Sequence, residues 1–527
     1  MLTFDPTPAL TDFDRQVFAI VVPQDHYLRQ VAARVDFERF RPRLAEAYSP
    51  NWGRPAIDPV RMLKILFLRF HYRLSSDRQV MKRSQTDMAF RWFLGLPLHW
   101  QMPNHTGGTY FRQRIGAERF AQIFQELISQ AREAGLVKDR LRLKDATHLF
   151  ADVADVRPLQ LAAQVRERLL QAASPLFAAW VAEQRIQIDT LRQTTAEFAD
   201  DERLAARLEQ LRDMATQLRE RCGESPPTPA TEKAHARLGR ALALVEQLLA
   251  DREPGAQDRL ASGVDPEARV GKHGGYFVGY LLDMTIDPDS ELITNLNVLP
   301  GNGAEAADAI TLIEQEEAAQ GNDVQALSMD GAGYNGPVLR ELTDPDGLNL
   351  EVIVPPPTAA PRTTFGPERF SLTIIDTQHG EVTCPAGHQT RQRSRTRQDR
   401  GYRYQFKTAQ CAECPLRSEC LENPATKRGR VVIKNDYEAE YRKVQEKAGT
   451  PAYQETRRTH AKIERKLGEV VRHHRARRTS FRGLAKVLTQ AVLTALAVNV
   501  KRMVKLLTPS VLPAAATETV RAELCWT

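Results

Sequence analysis

Apolar residues recur at helical spacing through most of the first 137 positions, and the pattern then changes several times. In "DPVRMLKILFLRFHYRL" (58–74) the spacing predicts a helix with Pro59 in its first turn, where a missing N–H leaves no bond unmade. "SSDRQVMKRSQTDMAFRWFLGL" (75–96) continues the helical pattern, with Ser75 or Ser76 as its cap. "MPNHTGGTYFRQRIGAERFAQIFQELISQAREAGL" (102–136) opens with a turn and predicts a long amphipathic helix. Residues 1–137 therefore form a helical N-terminal domain. Residues 138–155 hold a strand-like run leading to Asp145. Across 156–261 Leu and Ala return to helical spacing, broken by "GESPPTPAT" (223–231), and predict an inserted helical hairpin or short coiled coil without chemistry of its own.

From about residue 270 the pattern turns to strands. "YFVGYLLDMTID" and "ELITNLNVLP" flank "DPDS" as the arms of a hairpin. "GAEAADAITLIEQEEAAQG" predicts a helix, "VQALSMD" a strand ending at Asp330, "GPVLRELTD" a helix and "LEVIVPPP" a strand. Residues 138–155 and 262–356 thus make an α/β sheet with its site at strand ends. Pro355 to Pro361 mark a break. Short β segments with cysteines follow in 368–435, helices in 436–507, and a loose tail in 508–527.

Composition narrows the picture. A length of 527 residues, 42% hydrophobic, gives room for roughly two to four domains. The 73 basic residues exceed the 66 acidic ones by only 7, so local clusters of charge say more about partners than the total does. "MLTFDPTPALTDFDRQ" lacks the charged-then-apolar pattern of a signal peptide. The longest apolar run, "VLTQAVLTALAVNV" (487–500), falls short of the ~18 residues a span requires and reads as a core helix. Six cysteines without a secretion signal point to a reducing cytoplasm and to metal binding rather than disulfides.

Three acids stand out by their settings: Asp145 in "LRLKDATHLFADV", Asp330 in "VQALSMDGAGYNGPVL", and Glu464 in the basic helical stretch "RRTHAKIERKLGEVVRHH". Carboxylates gathered from strands and a helix suit Mg²⁺, which prefers hard oxygen ligands. A pair of such ions stabilises both the attacking and the leaving oxygen in phosphodiester chemistry. Asp152 and Asp155 compete for the first position and Glu469 for the third. Asp152 has the opposite strand parity to Asp145, so both cannot face one site if the strand continues.

Around Glu464, Lys462, Arg465, Lys466, Arg472, Arg475, Arg477 and Arg478 form a basic run with few balancing acids, as phosphate contact requires. In the helical domain Arg69, Arg73, Lys82, Arg83, Arg112 and Arg114 are candidates for DNA backbone contact, with an ordinary helical bundle as the alternative. Cys384, followed by "PAGH", and Cys411, Cys414 and Cys420 in C-x₂-C-x₅-C suit a tetrahedral structural zinc site, with His388 as a substitute for Cys384. Cys222 and Cys525 read as incidental. "QTRQRSRTRQDRGYRYQFK" (389–407), seven bases and one acid with aromatics interleaved, suits a nucleic-acid surface.

Taken in order, five segments resemble the bacterial insertion-sequence transposases of the DDE type, which have an RNase H-like catalytic core. "PVRMLKILFLRFHYRLSSDRQV…RWFLGL…PNHTGGTYFRQR" resembles their helical N-terminal domain, and "DATHLFAD" the segment of the first catalytic Asp. "DPEARVGKHGGYFVGYLLDMTID" resembles the entry to the next strands, and "LSMDGAGYNGP" the second-Asp segment. "IERKLGEVVRHHRARRTSFRGLAKV…ALAVNVKRM" resembles the helix of the catalytic Glu.

The resemblance implies Asp145, Asp330 and Glu464 as catalytic ligands of Mg²⁺ or Mn²⁺. It implies terminal inverted repeats and target DNA as partners, a homodimer or larger assembly, no membrane, and a cytoplasmic, nucleoid-associated location. The family places Tyr and Arg seven and four residues before the Glu and Lys seven after; here these are Arg457, His460 and Val471. Arg457, His460 and Glu464 share a helix face, so His460 would contact phosphate in place of Arg, and Arg472 would stand in for the Lys.

Overall fold

The computed structural model describes residues 6–256, 258–357, 365–374, 380–396 and 400–508. It divides the chain into two units, 1–138 with 289–293 and 469–527, and 139–288 with 294–468.

The first unit is helical: α1 (Asp12–Val21), α2 (Tyr27–Arg34), α3 (Arg41–Ala45), α4 (Pro59–His71), α5 (Asp77–Thr86), α6 (Met88–Leu94) and α7 (Thr106–Glu133), joined by the helix Leu484–Leu507. Asp58 starts α4, its Oδ1 accepting from the N–H groups of Val60 and Arg61, with Pro59 at the first helical position. Of the two serines before α5, Ser76 is the cap; its Oγ accepts from the Gln79 N–H. The long helix expected after residue 102 is two helices across a kink at Gly116, whose φ of 74° and ψ of 166° suit glycine alone. Leu484–Leu507 is long and apolar enough to cross a membrane by length and composition. It is mostly buried inside this unit, as a core helix is. The expected run of helix from 436 to 507 is interrupted: a π turn at Glu469–His473 and irregular chain precede Leu484.

Several arginines offered as DNA contacts are occupied within this unit. Arg69 Nη1 lies 2.6 Å from Asp77 Oδ1, and Arg112 Nη2 lies 2.8 Å from Asp77 Oδ2; Arg69 and Asp77 are buried and Arg112 nearly so. Both guanidinium groups also stack on Phe481. Gly108 packs so closely that a Cβ there would meet Asp77 Oδ2 at 2.8 Å. Arg83 lies over Tyr72 and Phe90 and pairs with Asp87, and Arg114 lies over Tyr48. Arg73 and Lys82 stay exposed.

The second unit is built on a mixed sheet. Its strand β1 (Arg142–Phe150) is followed by α8 (Pro158–Ala173), α9 (Ala178–Thr194), α10 (Asp200–Glu224) and α11 (Glu232–Ala250). These helices enclose a core of their own, including Val165, Leu169, Leu211, Leu218, Val245 and Leu248, so the insertion is larger than a hairpin. Then come β2 (Arg269–Lys272), β3 (Tyr276–Ile286), β4 (Ile293–Pro300), α12 (Glu305–Gln320), β5 (Ala326–Ser328), α13 (Gly336–Leu342) and β6 (Glu351–Ile353). The sheet order is β2-β3-β1-β5-β6, with β4 also paired to β3. The central strand β1 runs antiparallel to β3 and parallel to β5. Asp330 stands just past β5, at a strand end as expected. Asp145 does not: the strand runs on to Phe150, and Asp145 sits inside it opposite Met284.

The cysteine segment holds two small three-stranded sheets. One contains β7 (Ser371–Ile374), β8 (Gly380–Thr383) and β9 (Gln389–Thr390); the other contains β10 (Arg393–Arg395), β11 (Gly401–Gln405) and β12 (Val431–Asn435). Short helices α14 (Thr408–Ala412) and α15 (Arg417–Cys420) lie between β11 and β12. The unit continues with α16 (Glu438–Ala448) and α17 (Pro451–Gly468). Cys525 and most of the C-terminal tail lie outside the described residues.

Asp77→Ala leaves two buried guanidinium groups without their counter-charge and is expected to cost about 3 kcal/mol of stability. Urea unfolding checks this; a loss no larger than that of an exposed pair would mean the cluster does not stabilise the helices.

Candidate active site

Helix α17 carries one stripe of side chains that pegs it across the sheet. Tyr453, Arg457, His460 and Glu464 follow at helical spacing, so they lie on one face. Tyr453 Oη donates to the Val354 carbonyl at 3.2 Å, just past β6. Arg457 Nη1 donates to the Met329 carbonyl at 2.6 Å. His460 Nδ1 shares a 3.0 Å hydrogen bond with Ser328 Oγ, at the end of β5. Lys462 Nζ donates to the Pro288 carbonyl at 2.8 Å. These pegs place Glu464 over β1 and β5, one turn beyond His460.

The three acids come within electrostatic reach of one another there. Burial first, and then the negative charges of Asp330 and Glu464, together push the Asp145 carboxyl up to about 7, against the Ala146 N–H that donates to its Oδ1 at 2.7 Å and the Lys144 charge. Asp330 itself caps a short turn, accepting from the Ala332 N–H, and its charge is also felt by His460. Asp145 is half-buried, while Asp330 and Glu464 are exposed. The competitors lie elsewhere. Glu469 pairs with Lys501 at 2.8 Å in the other unit, and Asp152 and Asp155 follow the end of β1.

The basic residues are placed unequally. His460 is only 2% exposed, and burial with the neighbouring Arg457 charge holds its imidazole down to about 4. His460 is thus a neutral peg on Ser328, with little surface to offer a phosphate. Arg457 spends its guanidinium on a backbone carbonyl. Lys466 is buried as well. Arg465, Arg472, Arg475 and Arg478 are exposed and Arg477 half-buried. Val471, in the family's Lys position, is buried. On β10 and β11, Arg393 and Arg395 stack on Tyr402 at 3.9 and 4.6 Å; Arg397 and Asp399 lie outside the described residues.

A second group of charges, not singled out from the sequence, underlies the site. Arg142 and Lys144 alternate with Asp145 along β1 and so point to the opposite face. There Arg142 Nη2 meets Glu316 of α12 at 2.6 Å, with neither side chain exposed. Lys144 Nζ meets Asp283 of β3 at 2.9 Å and donates to the Glu305 carbonyl at the start of α12. Burial raises both Asp283 and Asp308, and the Lys144 charge opposes the rise in each. The signal available in the sequence was Arg142 and Lys144 at alternate positions of one strand, on the face opposite Asp145.

Among the described residues, no three His, Cys, Asp or Glu side chains close on a point tightly enough to ligate a metal as they stand. The donor chemistry at the carboxylates nevertheless fits a hard divalent cation. The elevated proton affinity of Asp145 comes first from burial and then from two like charges, and a cation would offset both. The cysteines are gathered too. Cys384, Cys411 and Cys420 pack against one small core, and the Cys420 thiol is raised by burial and then by the nearby thiols of Cys411, Cys384 and Cys414.

Because folding raises the Asp145 proton affinity, this group contributes less to stability as pH climbs from its unfolded range toward 7. Without divalent metal, Asp145→Asn should raise stability by about 2 kcal/mol at pH 8. The gain should shrink toward pH 4, where the folded carboxyl is already neutral. Urea midpoints at the two pH values check this; an equal gain at both would remove the electrostatic explanation.

Two family models match the chain. One, described as a transposase domain (DUF772), covers residues 16–114. The other, described as a transposase DDE domain, covers residues 383–504, which include Cys384, Cys411, Cys414, Cys420 and Glu464 but neither Asp145 nor Asp330. No curated protein and no solved structure matches the chain. Together the two matches support an insertion-sequence DDE transposase.

Proposed function

We propose that this transposase hydrolyses phosphodiester bonds at the ends of an insertion sequence and joins the freed 3′ ends to target DNA, with Asp145, Asp330 and Glu464 as its metal-holding carboxylates. The observation that carries this reading is the desolvated Asp145 carboxyl, pushed to about 7 with Asp330 and Glu464 as its acidic neighbours. Bound Mg²⁺ or Mn²⁺ would supply activation of water or of a DNA 3′ hydroxyl and stabilise the leaving oxygen. The chain's own part is to fix three carboxylates from β1, the end of β5 and α17 against their mutual repulsion. The strand order, with β1 between an antiparallel β3 and a parallel β5, is consistent with an RNase H-like core. Arg465, exposed and next to Glu464 in the chain, would hold a DNA phosphate, which positions the strand without choosing its sequence. The helical N-terminal domain would recognise the terminal repeats, in a dimer or larger assembly that brings two ends together.

A second reading, a DNA-binding derivative that no longer cuts, draws on one observation. Arg457 and His460 are used as internal pegs, so the phosphate contacts the family makes from these positions are missing. Cleavage of a labelled duplex carrying the element's terminal repeat separates the readings. Metal-dependent nicking at the element boundary is expected, with a loss on the order of 1,000-fold in Asp330→Ala. Specific binding without nicking in either protein would favour the derivative.

Proton and metal compete for Asp145, so the Mg²⁺ concentration needed for half-maximal nicking should fall as pH rises from 6 to 8. A requirement independent of pH across that window would remove Asp145 from the metal site.

A further inference from the structure

We infer that Cys384, Cys411, Cys414 and Cys420 form a structural Zn²⁺ site that staples the segment 365–435, apart from the carboxylates. The first ground is the smallness of that segment's core. Its described core cluster is five buried residues, Phe370, Val382, Tyr404, Phe406 and Val432. A folded segment with so little apolar burial needs a staple, either a disulfide or a metal. None of the four is joined in a disulfide, so their thiols are available to a metal.

The second ground is how the backbone presents the thiols. Cys384 opens a tight turn between β8 and β9. Its N–H donates to the His388 carbonyl at 2.8 Å, and its carbonyl accepts from the Gly387 N–H at 2.9 Å. Gly387 has a φ of 81°, a conformation glycine takes at no steric cost. Gln410, the residue before Cys411, donates from its side chain to the Gln389 carbonyl at 3.2 Å, which ties α14 to that turn. Arg417 donates to the carbonyls of Cys411 and Pro424 and so holds the loop carrying Cys414 and Cys420. The Arg430 N–H points at Cys411 Sγ from 3.4 Å, the kind of second contact that favours a thiolate and orients it toward a metal.

Cys420 stands within electrostatic reach of the other three thiols and of the Arg430 guanidinium, which offsets the excess negative charge of a four-thiolate zinc centre. The thiols are gathered but not closed on one point. A bound zinc would draw them to Zn–S distances of about 2.3 Å.

The test is the metal content of the full chain purified without chelator, together with the spectrum after Co²⁺ replacement. About one zinc per chain and an intense thiolate-to-cobalt band of tetrahedral type are expected. Cys411→Ser and Cys420→Ser should lose both signals, whereas Cys222→Ser and Asp330→Ala should keep them. His388→Gln keeps them if Cys384 is the fourth ligand; loss there, with Cys384→Ser unaffected, would overturn the four-cysteine assignment. Zinc-free protein without the cobalt band would overturn the site altogether. Should a cysteine variant fail to fold, chelation of the wild type reads the same point: removing zinc should open 365–435 to proteolysis while the helices of 156–261 stay protected. Neither readout needs DNA, so a failure here leaves the transposase reading standing, and a failure of nicking leaves the zinc site standing.

Discussion

A carboxylate held half-dry within electrostatic reach of two others is an unstable arrangement, and the sheet and helix α17 hold it. Asp145 cannot move away from Asp330 and Glu464, because it belongs to the central strand of the sheet, bonded to a neighbour on each side. Glu464 cannot swing out with its helix, because α17 is pegged by Tyr453, Arg457, His460 and Lys462 to carbonyls and a hydroxyl along the sheet. The chain thus stores electrostatic repulsion at one place and restrains it with many neutral or charge-assisted hydrogen bonds elsewhere. In the function proposed above, a divalent cation would relieve that repulsion.

The opposite face of the sheet explains why the register does not slip. A strand alternates its side chains, so a shift of one residue would carry Asp145 to the α12 side and Lys144 to the site. Arg142 on Glu316 and Lys144 on Asp283 make that shift costly, because each charge would be left buried without its partner. Buried ion pairs are weak evidence for stability in general, but here they fix which face of β1 each side chain occupies.

Arginine is abundant in this chain, yet abundance overstates the surface free for DNA. In the first unit Arg69 and Arg112 neutralise Asp77 inside the bundle, and Arg83 and Arg114 lie flat on aromatic rings. Near Glu464, Arg457 and Lys466 are turned inward. A guanidinium has several donors and a flat face, and it satisfies carbonyls and carboxylates within the fold as readily as phosphates outside it.

The sequence by itself determined the order of the helical and strand segments, because hydrophobic period is a local property, and it marked Asp145, Asp330 and Glu464 through their resemblance to a known pattern. It also marked the four cysteines by spacing. It placed Asp145 at a strand end, drew one helix through Gly116 and read His460 as a phosphate contact. Only the tertiary structure corrected these, because strand length, a single positive φ and the burial of one imidazole depend on what packs alongside. The Arg142–Glu316 and Lys144–Asp283 pairs were likewise settled by the fold alone. Their partners lie far apart in the chain, and nothing short of the sheet and α12 coming together decides which buried charge meets which.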